Sequence, residues 1–338
     1  MQSKNNTELS IVMYHYVRDL KNSRYPNIKG LDVELFREQL KYIQKYYTVI
    51  RMEDLISSIE NNTKLPKNSI LLTFDDGYKD HFDIVFPILN ELGIQGSFFP
   101  VVNSIEEGKV LDVNKIHFIL ATQENEATLI QEIYSLLDKY RERFKLNSNE
   151  YYFKKLAQPG RWDNKEIRFI KRLLQNELPT EPRNLIINKL FEKHVSLNEE
   201  TFVKELYMSK DQVKCLVKNG MHVGSHTANH DWMDSLTPEL QEQELQESIK
   251  FLKSLGITDN LTMCYPYGRY NETTLEILKK HNFKIGLTTK VDLVRNSLPL
   301  ELPRLNTNDL PKESRAEPNK WTLQSTNQTA GFPKSIRS

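Results

Sequence analysis

Asp75 and Asp76 stand side by side in "SILLTFDDGYKD", where an apolar run stops at a glycine. Like charges at close range raise each other's pKa, and burial adds to the cost. Some compensating group must lie nearby, and a cation is the simplest candidate. Much later, "GSHTANHDW" carries His226 and His230 four residues apart. On one helical turn or in a tight loop, that spacing brings both imidazoles to the same side. Two histidines and one carboxylate make an open metal site, with positions left for water and substrate. The histidine pair alone is a weak signal. Joined to the aspartate pair, it points to metal-assisted chemistry.

Such residues need elements that bring them together, and the chain alternates strand and helix patterns. "SIVMYHYV" (10–17) reads as a strand, and Asp32 can cap a helix whose Phe36, Leu40 and Ile43 recur at helical spacing. "YTVI", the helix "MEDLISSIE" and the strand "SILLTF" follow, then a helix from about Asp80 to Leu92 that closes at Gly93. "GSFFPVV" reads as a further buried strand. After an interruption the alternation resumes. Ser209 caps a helix ending at Gly220, "MHVGS" is a strand, and Thr237-Pro238 opens a helix running to Gly256. "LTMCYP", the Asn271-capped helix "ETTLEILKKH" and "FKIGLTT" complete the pattern. Repeated βα units imply parallel strands surrounded by helices, in a barrel or an open sheet. Active sites in such folds lie at the carboxyl ends of the strands, and Asp75, Asp76, His226 and Tyr267 all fall just beyond expected strand ends.

The interruption, residues 103–208, lacks strand signals and reads as a helical insertion. One of its helices is announced by Asp163 with Glu166 three residues on. The region of alternating strands and helices is thus expected over 8–305, split by this insertion. The polar stretch 311–338 has no period and reads as a disordered tail.

The 338 residues carry a formal net charge of +1, so bulk electrostatics call for neither nucleic acid nor an anionic membrane. No apolar stretch approaches the roughly 20 residues of a membrane span. "MQSKNNTELS" lacks the apolar core of a signal peptide, so a cytoplasmic location, or work at the inner face of a membrane, is expected. Cys215 and Cys264 are the only cysteines, which excludes a disulfide framework.

"TFDDG" (73–77), "HTANH" (226–230) and "YPYG" (265–268), in that order, resemble the first three motifs of the polysaccharide deacetylases, the NodB-homology or carbohydrate esterase family 4. The resemblance implies an α/β fold, a distorted (β/α) barrel of that type with a helical insertion. It further implies a metal held by Asp76, His226 and His230, with Asp75 off the metal as general base toward the attacking water. The two carboxylates then have different partners, which resolves their conflict. The backbone N–H of Tyr267 would serve the oxyanion. Gly77 would permit the turn out of the strand, and Thr227 would brace the histidine loop. Zinc is the first expectation for two histidines and a carboxylate, with cobalt, nickel or iron as alternatives.

Two features depart from the family pattern. The usual third motif has an arginine where this chain has Cys264, and the usual late histidine that protonates the leaving amine is missing. A circularly permuted subgroup, resembling the biofilm poly-N-acetylglucosamine deacetylases, carries that histidine on the first strand, where "MYHYV" supplies His15. Arg304, in "ELPRLNTND", is the candidate for the missing guanidinium beside Asp75. Trp232 is a candidate for a groove wall. Trp162, Tyr151 and Tyr152 lie in the insertion and are read as packing. His81, His117, His194, His222 and His281 show no partner in sequence and are read as surface or structural. The expected reaction is removal of an acetyl group from an N-acetylated glycan, lipid-linked or nucleotide sugar in surface polysaccharide metabolism. The rivals are a deformylase or other amide hydrolase on the same site, and a catalytically silent carbohydrate-binding relative.

Overall fold

Ser69–Asp76 is buried along its whole length, which is why the run carries apolar residues on both faces instead of alternating. It is the centre of the sheet in the computed structural model, which describes residues 8–160, 163–295 and 297–326. In chain order the strands are β1 (Leu9–Tyr14), β2 (Val17–Arg18), β3 (Leu31–Asp32), β4 (Thr48–Val49) and β5 (Ser69–Asp76). Then come β6 (Ser97–Pro100), β7 (His222–Val223), β8 (Thr262–Cys264), β9 (Ile285–Leu287) and β10 (Leu305–Asn306). The main sheet runs β10-β1-β5-β6-β7 with every pairing parallel, and β4 also lies along β5.

The sheet continues beyond β7. A parallel bridge joins Ser225 to Met263 of β8, β8 pairs with β9, and Leu287 of β9 bridges Leu302, just ahead of β10. These links lead round from β7 back to β1, as a distorted (β/α) barrel requires. Strand twist and short strands leave single bridges where longer ladders would be expected.

The connecting helices start where the sequence indicates. Asp32, Ser209, Thr237 and Asn271 each accept a backbone N–H of the first helical turn. Their apolar stripes, including Phe36, Leu40, Val213, Leu216, Leu245 and Leu278, are buried against the sheet. The segment after β5 opens with a π-turn, His81–Val85, before the α-helix Phe86–Glu91.

Two compact units divide the chain. The barrel unit comprises residues up to Asp19, Gly30–Gly108, and those from Leu206 onward. The second unit is Lys109–Glu205 together with Leu20–Lys29, a loop distant from it in sequence. The second unit is helical, with edge-to-face contacts among Tyr25, Phe118, Phe191 and Phe202 at its core. The helix expected to start at Asp163 is capped one residue later, by Asn164. Asp163 instead accepts from the ammonium groups of Lys29 and Lys171. Tyr152 is buried and Tyr151 exposed; Trp162 lies outside the described residues.

The polar stretch from Pro311 is structured as far as Thr326, contrary to the disorder expected of it. Lys320–Ser325 is a helix capped by Asn319, and Thr322 is fully buried with its hydroxyl against those of Tyr42 and Tyr47. Polar composition misled here because the segment is held by specific hydrogen bonds as much as by apolar area. Gln39 is the clearest anchor. Fully buried, its side chain accepts from Tyr14 Oη at 2.8 Å and donates toward the carbonyls of Thr307, Leu310 and Pro311. Among the described residues no helix is long and apolar enough to cross a membrane.

Gln39→Leu keeps the volume and strands the Tyr14 hydroxyl and those carbonyls. A loss of about 2–3 kcal/mol is expected, read from the urea midpoint at unchanged m-value.

Candidate metal and catalytic site

The site forms at the carboxyl ends of β1, β5, β7 and β8, and its backbone is unusual. Asp76, Thr227, His230 and Tyr267 all have left-handed φ, between 56° and 73°. Side chains other than glycine, asparagine and aspartate rarely adopt such φ, and clusters of them mark functional positions. Gly77 follows Asp76 with φ 74°, and a Cβ there would lie 2.8 Å from Pro100 Cβ. This double left-handed step ends β5, where strand alternation already sends the Asp75 and Asp76 side chains to opposite faces.

The two carboxylates consequently face different partners. Asp75 is paired bidentately with Arg304, Nη1 to Oδ1 at 2.9 Å and Nη2 to Oδ2 at 2.8 Å. Arg304 is 1% exposed; its Nε donates to the Thr288 carbonyl at 2.8 Å and Nη1 also reaches Thr73 Oγ1 at 3.1 Å. Each of its three nitrogens therefore has a partner. Burial pushes the Asp75 carboxyl upward, but the Arg304 charge, with His15 and His226 behind it, holds it below the ordinary carboxylate value. His15 Nε2 stands 4.0 Å from Asp75 Oδ2, and its side chain is 40% exposed, so it can meet both Asp75 and a ligand from solvent.

Asp76 faces the histidines. Its Oδ1 lies 3.2 Å from His226 Nε2 and 3.4 Å from His230 Nε2. That oxygen is buried and makes no hydrogen bond. The His226 ring is oriented by its Nδ1–H, which donates to the Cys264 carbonyl at 2.7 Å; although burial opposes its charge, that carbonyl and the Asp76 carboxylate hold the His226 pKa well above the usual imidazole value, and Nε2 faces Asp76. Burial drives the His230 pKa down to about 3, so its ring is neutral. Although burial opposes ionisation of Asp76, the adjoining imidazoles hold its carboxyl well below the usual range. Two imidazole nitrogens and one carboxylate oxygen thus converge, with an unbonded buried oxygen among them. This donor set fits a divalent cation of the zinc type.

The histidine loop is braced by groups that the sequence did not single out. Glu244 is buried, and its Oε2 accepts from the backbone N–H groups of Ala228 and Asn229 at 3.0 and 2.8 Å. Thr227 Oγ1 accepts from the His230 N–H at 3.0 Å, the bracing role expected of it. Tyr267 packs its ring on His230, and Trp232 packs on Tyr267, with centroids 4.7 and 5.3 Å apart.

Other histidines do have partners. His81 is fully buried with Nε2 2.8 Å from the backbone carbonyl of His15, and burial pushes its pKa down to about 4. It therefore holds the strand end that presents His15. His222 lies 3.2 Å from Thr262 Oγ1, while His194 and His281 meet Glu132 and Glu242 at 2.7 and 2.6 Å. His117 is also engaged. Cys264 is a buried strand residue whose thiol burial pushes up, away from reactivity.

A family model described as polysaccharide deacetylase matches residues 62–141 and 186–286, together more than half of the chain. The chain belongs to the polysaccharide deacetylase family. It is 19% identical over 284 residues to YxkH of Bacillus subtilis (strain 168), a protein named for the same family. That match covers 84% of this chain and 65% of YxkH, so the chain spans a little under two thirds of that relative. Among solved structures, Streptococcus pyogenes deacetylase PplD superposes with TM-score 0.55 at 18% identity, covering 89% of this chain and 93% of PplD. IcaB from Ammonifex degensii gives 0.54 at 18% identity over 95% and 97% of the two chains. The BpsB deacetylase domain from Bordetella bronchiseptica gives 0.52 at 15% identity over 90% and 98%. At these identities the likeness establishes a shared fold.

The Arg304–Asp75 pair generates a prediction. A carboxylate whose folded pKa is depressed stabilises the fold above its unfolded pKa, about 4, and loses that contribution as pH falls through the folded value. Arg304→Met leaves Asp75 buried and unpaired, which should cost about 3–5 kcal/mol at pH 7. Without the guanidinium, burial alone raises Asp75, so the deficit should shrink as the pH is lowered from 7 to 5. Urea unfolding of the metal-free proteins at both pH values checks this. A deficit independent of pH would count against the ion pair as its source.

Proposed function

We propose that this protein is a metal-dependent hydrolase that removes an acetyl group from an N-acetylated sugar, carried on a glycan, a lipid or a nucleotide, in surface polysaccharide metabolism. The observation that carries the reading is the division of the aspartate pair, Asp75 to Arg304 and Asp76 to the two imidazoles. A site kept only to hold a metal would need Asp76 and has no use for a buried, ionised neighbour held by an arginine.

Asp76, His226 and His230 would hold the cation, zinc by preference and cobalt, nickel or iron as alternatives. When bound, such a cation supplies Lewis-acid chemistry, acidifying water and polarising a carbonyl. Asp75, kept ionised by Arg304, takes the proton of the attacking water. Arg304 stays on Asp75 throughout and so acts as a positioning residue. His15, 4.0 Å from Asp75 and open to solvent, delivers a proton to the leaving amine. The left-handed backbone at Tyr267 presents its N–H as an oxyanion donor, a contribution typically worth about 10²–10³ in rate. Trp232, against Tyr267, forms a wall of the sugar groove.

Acetate release from N-acetylated nucleotide sugars, lipid-linked sugars and short oligosaccharides tests the reading, with zinc-loaded wild type beside Asp75→Asn. Release by wild type alone is expected, while both proteins retain metal. Formate in place of acetate would replace the acyl group in the reading. No acid from any substrate, with metal verified in the protein, would overturn it in favour of a carbohydrate-binding role. His15→Ala should lower turnover by about 10²–10⁴ with little change in bound metal.

A further inference from the structure

The Tyr78 hydroxyl donates to Asp76 Oδ2, the carboxylate oxygen that does not face the histidines. Tyr78 is fully buried, and its ring is fixed by packing. It stacks on Tyr16 with centroids 4.2 Å apart and planes within 22°, and on Tyr207 at 6.1 Å and 11°. An antiparallel backbone bridge joins Tyr78 to Tyr207, and the Gly77 carbonyl accepts from the Met208 N–H at 3.0 Å. On the other side, the Arg18 guanidinium lies 5.2 Å over the Tyr16 ring and pairs with Asp80. The hydroxyl therefore cannot easily leave Asp76 by rotation of its ring.

We infer that Tyr78 is a positioning residue for the metal ligand: it occupies Asp76 Oδ2 and thereby leaves Oδ1 as the single carboxylate oxygen offered to the cation. The inference rests on the reading of Asp76, His226 and His230 as the ligand set. Chemically, a carboxylate with one oxygen engaged by a buried hydroxyl binds a metal through the other, and the coordination position that a second oxygen would fill stays available. Outer partners of this kind fix a ligand's orientation, and their removal commonly weakens metal binding about 10–100-fold. No bond is made or broken by Tyr78, so its effect should be read in the metal before it is read in turnover.

Tyr78→Phe removes one oxygen and keeps the stacking. Chelator competition should give zinc binding about 10–100-fold weaker than wild type, with the melting temperature of the metal-free protein little changed. The cobalt-substituted variant should show weaker d–d absorption, as expected when a freed second oxygen raises the coordination number. Tyr207→Phe, which keeps the stack and the Asp76 contact, should match wild type in both measurements. Zinc affinity and cobalt spectrum unchanged in Tyr78→Phe would overturn the inference. X-ray absorption on zinc-loaded wild type tests it without any variant: one short carboxylate oxygen is expected, and bidentate Asp76 would overturn it. Failure of wild type itself to bind zinc would instead remove the metal reading on which the inference rests.

Discussion

Two adjacent carboxylates, both buried and both held below the ordinary carboxylate range, are the constraint around which the barrel unit is organised. Neither can be neutralised by the other, and without partners of their own their repulsion and burial would push a proton onto one of them. The chain avoids that outcome with geometry. Strand alternation sends the two side chains to opposite faces, a left-handed step at Asp76 and Gly77 ends the strand there, and each carboxylate meets cationic or polar groups of its own. In the proposed reaction this separation is also a division of labour, one carboxylate for the metal and one for the proton.

Holding that arrangement requires the surrounding elements to resist relaxation. The left-handed residues Asp76, Thr227, His230 and Tyr267 are each unfavourable locally, and persist only where neighbouring structure over-determines them. Glu244 does this for the histidine loop by accepting two successive backbone N–H groups from a helix, Pro238–Ser254, packed behind it. The Cys264 carbonyl does it for the His226 ring, and His81 for the strand end carrying His15. Most of these braces come from strands and helices whose own cores are apolar and tightly buried, so the strain at the site is carried by ordinary hydrophobic packing.

The arginine is a case where the same physical need is met from a different place in the chain. Beside Asp75 the third-motif position is Cys264, a small buried residue that leaves room, and the guanidinium enters from just ahead of β10. Because Arg304 is wholly buried, its charge is uncompensated without Asp75, and the pair stands or falls together.

Much of this was legible in the sequence. The βα alternation, the caps at Asp32, Ser209, Thr237 and Asn271, and the two chemical motifs at strand ends are local patterns, since strand and helix periods and capping residues act within a few positions. They led to parallel strands with a site at their carboxyl ends, while the barrel form and the trio Asp76, His226 and His230 came from the resemblance of the motifs to a family. Tertiary structure decided the rest. Arg304 and Asp75 are 229 positions apart, and no local period signals that they meet. Nothing in the sequence around Glu244 or Tyr78 signals that the first accepts from the histidine loop or that the second donates to Asp76. Leu20–Lys29 grouped with the helical unit, and the polar segment after Pro311 became ordered, because Gln39, Tyr42 and Tyr47 offer hydrogen bonds that composition cannot reveal. Local sequence sets what each segment can become; which buried charge meets which partner depends on distances that exist only once the barrel has folded.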